Sequence, residues 1–140
     1  MYSYIKDCKD YGVQLDTEKY QLGWHQGIVQ YCTPANGFEV GQAGEDYDDI
    51  CPSHLAGAFL DQYIAGLDSK LSLIEDDIDS NTAAAEDTIN QLEETTDKET
   101  RKSLRSTVSS YRTKYHDLKK EYRRINNLYN KAQRMRMQFK

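Results

Sequence analysis

From Leu104 the chain carries Val108, Tyr111, Tyr115, Leu118, Tyr122, Ile125, Tyr129 and Ala132, in alternating steps of four and three. A helix turns once per 3.6 residues, so these side chains share one seam, and a seam of this length needs a partner helix. A second stripe precedes it: Leu60, Ile64, Leu67, Leu71, Ile74 and Ile78, then Ala85 and Leu92. Two long helices with matching seams make up more than half of the chain. The expected class is all-α: a small, helical, glycine-rich, disulfide-closed head over 1–52, then a long antiparallel coiled-coil hairpin over 53–140.

The hairpin has sequence punctuation. After Pro52, Ser53 is placed to cap a helix that runs to about Glu94. Thr95-Thr96-Asp97 interrupts it, and Thr96 with Glu99 fits the capping box of a second helix over about 98–137. The phase breaks here too. Continuing the first stripe from Leu92 would bring Lys102 and Ser106 into the seam. A turn near 95–100 is therefore preferred over one unbroken helix. The preferred register pairs Ile64 with Ala132, Leu67 with Tyr129, Leu71 with Ile125, Ile74 with Tyr122, Ile78 with Leu118 and Ala85 with Tyr111. It sets the polar Asn81 against the Tyr115 phenol. The alternative, one heptad away, sets Ala85 against Leu104 and leaves the Asn81 amide against Val108, which is costly for a buried polar group.

Before Pro52 the signals are shorter. Residues 2–11 predict a short helix stopped by Gly12, and Asp16 is placed to cap a second over about 17–32. On that helix Gly23 and Gly27 suggest close approach of another backbone or ring. Residues 33–52 predict an ordered loop, because Pro34, Asn36-Gly37, Gly41 and Gly44 punctuate it. An aromatic-x-x-Gly pattern recurs at Tyr20-Gly23, Phe38-Gly41 and Tyr63-Gly66. Its expected role is a compact head in which rings lie on bare backbone. A groove lined by Trp24, Tyr31, Phe38 and Tyr47 for a small ligand or glycan is the alternative.

The net charge of -5 conceals an asymmetry. Residues 100–140 hold 13 Lys/Arg against Asp117 and Glu121, whereas 53–99 hold 12 acids against Lys70 and Lys98. Mutual neutralisation of two paired arms is the expected meaning. Nucleic-acid binding by the basic helix is disfavoured, because the acidic arm beside it repels phosphate. No run of 18 apolar residues exists, so no membrane span is expected. The first 20 residues show no apolar core or cleavage site, so no signal peptide is expected in them.

Cys8, Cys32 and Cys51 are the cysteines. Three buried thiols would suit a reducing compartment, and one bridge plus one thiol an oxidising one. Of the three pairings Cys32–Cys51 is favoured, since it closes the glycine-rich loop.

Few residues in the sequence point to chemistry. His25, His54 and His116 lie on three segments without metal-ligand spacing. Asp77-x-Asp79-x-Asn81 begins like a calcium loop, then has Thr82 where glycine is needed and Thr88 where the bidentate Glu belongs. Glu45, Asp46, Asp48 and Asp49 are expected to form a solvated acidic turn, with weak cation binding as the alternative. No catalytic residue, metal site or cofactor is expected. The four seam tyrosines 111, 115, 122 and 129 are wide and need water or a partner for their hydroxyls, so the seam is also a candidate interface, a homodimer included.

The run Tyr20-x-x-Gly23-x-x-x-Gly27-x-x-x-Tyr31-Cys32-x-Pro34-x-Asn36-Gly37-Phe38-x-x-Gly41-x-x-Gly44-x-x-Tyr47-x-x-x-Cys51-Pro52 resembles a domain family of unknown function found in small Gram-negative envelope lipoproteins. The likeness spans about residues 7–75, taking in Cys8, Gly12, Phe59, Tyr63 and Gly66. Members of that family continue into a coiled-coil tail, as here. They also begin with a lipoprotein signal and an upstream segment with a further cysteine and aromatic-Gly repeat, which these 140 residues do not show. The resemblance implies an envelope location, periplasmic or outer-membrane-associated, and supports the Cys32–Cys51 bond. It implies no activity. The expected function is a non-catalytic structural or protein-interaction component of the envelope, its protein partner unidentified.

Overall fold

The computed structural model describes the backbone of residues 17–139 and the side chains of 23–139. The helix expected over 2–11, the Asp16 cap and the fate of Cys8 lie outside these residues. Four helices and no strand occur among them: α1 (Thr17–Tyr31), α2 (Pro34–Gln42), α3 (Ser53–Glu94) and α4 (Lys98–Arg136). The all-α class holds, with α3 and α4 packed as a long hairpin.

The expected loop over 33–52 is corrected by α2. Thr33 is its N-cap, with the Thr33 hydroxyl accepting from the Asn36 amide at 3.2 Å, and Pro34 opens the first turn. Gly37 and Gly41 look like breakers, each costing a helix about 1 kcal/mol relative to alanine. Here they are what tertiary packing requires. A Cβ on Gly37 would lie 2.5 Å from the Phe59 carbonyl oxygen. A Cβ on Gly41 would strike the Tyr63 carbonyl, and one on Gly66 would strike the Phe38 carbonyl. The Phe38-Gly41 and Tyr63-Gly66 motifs are therefore reciprocal: the glycine of each lies on the aromatic residue's carbonyl in the other. The expectation of rings on bare backbone becomes backbone on backbone. No described heavy atom lies within 4 Å of a Cβ built on Gly23 or Gly27, so the close approach expected there is absent among the described residues.

Two caps also differ in detail. Pro52, not Ser53, occupies the N-cap of α3 and makes no side-chain cap bond. Asp97, not Thr96, caps α4, accepting from the Thr100 amide at 3.0 Å and the Thr100 hydroxyl at 2.6 Å. Aspartate lacks a β-branch and fits the N-cap backbone as well as threonine does. Arg101 then reaches back across the turn, donating to the Leu92 and Thr95 carbonyls at 2.7 and 2.8 Å. The Leu92 carbonyl also accepts from the Thr95 amide at 3.4 Å, so the guanidinium adds a second donor there and supplies one to the Thr95 carbonyl past the helix end.

The seam is buried most deeply near the head. Leu60, Leu67, Leu71, Ile74, Ile125, Val108 and Ala132 are buried, while Ile64, Ile78, Leu118, Tyr111, Tyr122 and Tyr129 are half-buried. The register is the preferred one. The Tyr122 hydroxyl donates to Glu75 Oε1 at 3.0 Å, and Arg136 Nε to Asp61 Oδ1 at 2.7 Å. One heptad away, Tyr122 would sit about 12 Å along the axis from the level of Glu75. Asn81 is 4% exposed, but the expected phenol partner is corrected: its Nδ2 donates to the Tyr111 carbonyl at 2.9 Å. Tyr115 is free to turn outward, and does.

Candidate functional site

The head is built where α2 and the loop after it close on α3 and α4. Cys32 and Cys51 form a disulfide, their Cα atoms 5.7 Å apart, which ties the end of α1 to the start of α3. Below it the aromatics stack. Tyr31 lies on Phe59 at 5.4 Å, Tyr47 on Phe59 at 4.8 Å, and Tyr47 against Tyr63 at 5.8 Å between ring centres. The hydroxyls of Tyr47 and Tyr63 bind the loop. The Cys51 amide donates to the Tyr47 hydroxyl oxygen at 2.9 Å, and the Tyr63 hydroxyl donates to the Glu45 carbonyl at 2.7 Å. Burial, with the Asp46 charge second, pushes the Tyr63 phenol up to about 12, and burial also raises Tyr31 and Tyr47.

The head meets α4 at Gly44. A Cβ there would lie 2.8 Å from Ile125 Cδ1, and the backbone is left-handed at φ 75°. Arg124 Nη1 donates to the Gly44 carbonyl at 2.9 Å, and Lys131 pairs with Asp46 at 3.1 Å. Head and lower hairpin thus share one hydrophobic core.

The four rings proposed to line a ligand groove do not converge. Tyr47 is 1% exposed and belongs to the core, which corrects its assignment as a binding ring. Tyr31 is half-buried on Phe59, and Phe38 is half-buried with its carbonyl against Gly66. Trp24 stands apart on α1, 46% exposed, edge-on to His25. Once Phe59 and Tyr63 complete the stack, Tyr47 has no free face. The pattern Phe59, Tyr63, Gly66, Leu67 on one side of α3 was the available signal for this core.

The expected pairing of acidic and basic arms is also changed. Among the described residues one ion pair joins α3 to α4, Arg136 with Asp61. Glu121 pairs with Arg124 on its own helix at 2.5 Å, and Lys131 serves the head. The guanidinium of Arg124 holds Glu121 below the usual carboxylate range. In this register, flanking positions of the distal α3 carry Thr82 and Ile89 where acids would be needed to meet Arg112 and Arg105. The two charged helices keep most of their charge on the surface.

That surface contains an open groove of about 470 Å³ along the distal hairpin, floored by Asn81, Ala85, Ile89, Tyr111 and Tyr115. A smaller hollow of about 360 Å³ continues it past Ile78 and Tyr122. No helix of the described residues is long and apolar enough to cross a membrane.

Residues 1–68 match the DUF2799 family model, described as a protein of unknown function. The DUF2799 match ends in α3 at Asp68, just past the Gly41–Gly66 crossing. It therefore takes in the disulfide, the aromatic stack and both reciprocal motifs, and leaves the distal hairpin outside. No curated protein and no solved structure matches the chain significantly.

Proposed function

We propose that this chain is a non-catalytic structural or protein-interaction component of the bacterial cell envelope. The observation that carries the reading is the buried Cys32–Cys51 bond, which closes the DUF2799 head. Such bonds persist in oxidising compartments, and glutathione and thioredoxin keep cytosolic thiols reduced. The resemblance to envelope lipoproteins points the same way. In the head the Tyr47 and Tyr63 hydroxyls hold its own loop, and Asp46 pairs with Lys131 of α4. The longest surface open to a partner is the charged face of the hairpin.

Cell fractionation tests the location. Thiols are alkylated before lysis and the unreduced chain is mapped in each fraction. The reading expects the envelope or periplasmic fraction to hold the chain with Cys32 and Cys51 joined. A chain found in the cytosolic fraction with both thiols alkylated would contradict it.

A further inference from the structure

We propose that the grooved face of the distal hairpin docks the same face of a second copy of this chain, closing a four-helix bundle with both hairpin tips at the same end. The inference refines the interaction role proposed above.

Three observations meet on this face. First, the head covers the seam where Gly44 seats on Ile125, whereas further out no described element covers it and the seam residue Tyr115 is 37% exposed. Second, Asn81 is 4% exposed and lines the groove, and its Oδ1 has no hydrogen-bond partner. It is the one buried orphan of this kind among the described side chains. A buried acceptor without a donor costs about 1–3 kcal/mol, which marks this layer of the groove as the polar weak point of the lone hairpin. Third, the rims are of opposite sign: Glu75, Asp79 and Glu86 on α3, Arg112 and Lys119 on α4.

Charge then selects both the occupant and its orientation. Two identical hairpins can stack face to face about a two-fold axis in two ways. An axis across the hairpins lays acidic α3 on acidic α3 and basic α4 on basic α4. An axis along them lays α3 on the partner's α4 at the same height, acid on base twice over. The second arrangement keeps the tips together and sets Tyr115 of the partner subunit at the height of Asn81. Like-charge juxtaposition penalises the first. A nucleic acid would be attracted by one rim and repelled by the other.

Sedimentation equilibrium of the full chain is the test, with circular dichroism as the control for folding. The wild type is expected to be a dimer at low salt, with affinity falling as salt rises. Glu86→Arg and Arg112→Glu should each weaken self-association by about tenfold or more. Both side chains are exposed and neither makes an ion pair, so helicity should hold. Mixing the two variants one to one should restore the dimer, because each reversed rim then faces its complement in the other chain. A monomeric wild type, single variants that dimerise as well as wild type, or a mixture that stays monomeric would each overturn the proposal. A wild-type monomer that instead binds DNA in a salt-dependent way would overturn it in favour of the basic helix as a nucleic-acid surface.

Discussion

Three glycines of the same motif stand in two different environments. Gly41 and Gly66 face carbonyl oxygens of the opposing helix, while Gly23 faces no described atom within 4 Å. Gly66→Ala should therefore cost about 3 kcal/mol, the upper end for forcing volume into a packed contact, because backbone cannot turn aside as a side chain can. Gly23→Ala should stabilise by about 0.5–1 kcal/mol, the helix-propensity gain alone. Urea denaturation of both variants checks the contrast; equal effects would contradict the reciprocal crossing. Tyr63 makes a second prediction at this scale. Its folded pKa is raised, to about 12 from an ordinary 10. A raised pKa favours the protonated native form, so this contribution is fully present below pH 10. It should decline as pH rises from about 10 through 12, where the unfolded chain ionises first. Tyr63→Phe should be less stable at neutral pH, having lost the bond to the Glu45 carbonyl, yet show a shallower alkaline decline in a pH series of melts. The aromatic-x-x-Gly spacing was visible in the sequence, but its pairing was not. Nothing local in Phe38-x-x-Gly41 indicates that its counterpart lies on the next helix.

The two long helices were the most legible elements, because a seam repeated over nine positions has few alternative explanations. Their bounds follow from Pro52 and from the break at Thr95-Thr96, and Asn81 correctly selected the register. The polar layer did so through a different bond, since a carbonyl on the facing helix was nearer than a phenol able to swing outward. α2 was hidden because glycine is a poor helix former, and only the crossing with α3 makes it worth having. At the turn, Asp97 and Arg101 share the capping of both helix ends. Asp97→Ala should lower the melting temperature, and so should Arg101→Ala, which removes two charge-assisted bonds and leaves the Thr95 carbonyl to water. Hydrogen bonds from Thr100 hold the Asp97 carboxyl below its ordinary range. A depressed pKa makes the cap's contribution present above the unfolded value and lost as pH falls through the folded one. Acid melts of Asp97→Ala should then converge on those of the wild type.

At the scale of the molecule, one core joins the head to the lower hairpin, and the disulfide closes that head. Reduction should destabilise it by about 3 kcal/mol on the chain-entropy model, seen as a lower melting temperature in dithiothreitol. Leu71→Asp should unfold the chain, since it places an unpaired carboxylate at a position that is 7% exposed. The charge asymmetry was plain in the sequence, but its meaning was not. Composition counts the acids and bases of two arms, while the register decides which of them meet. The defining feature of the molecule is that α4 folds back along α3. Spin labels at Asp76→Cys and Lys120→Cys, in a Cys8→Ser background diluted with unlabelled chain, measure this by pulsed dipolar spectroscopy. Both sites are exposed, on the outer faces at the same height of the hairpin. The fold predicts a separation of about 20–25 Å, two packed helices plus their side chains. A distance near 66 Å, the length of one unbroken helix between those positions, would contradict it.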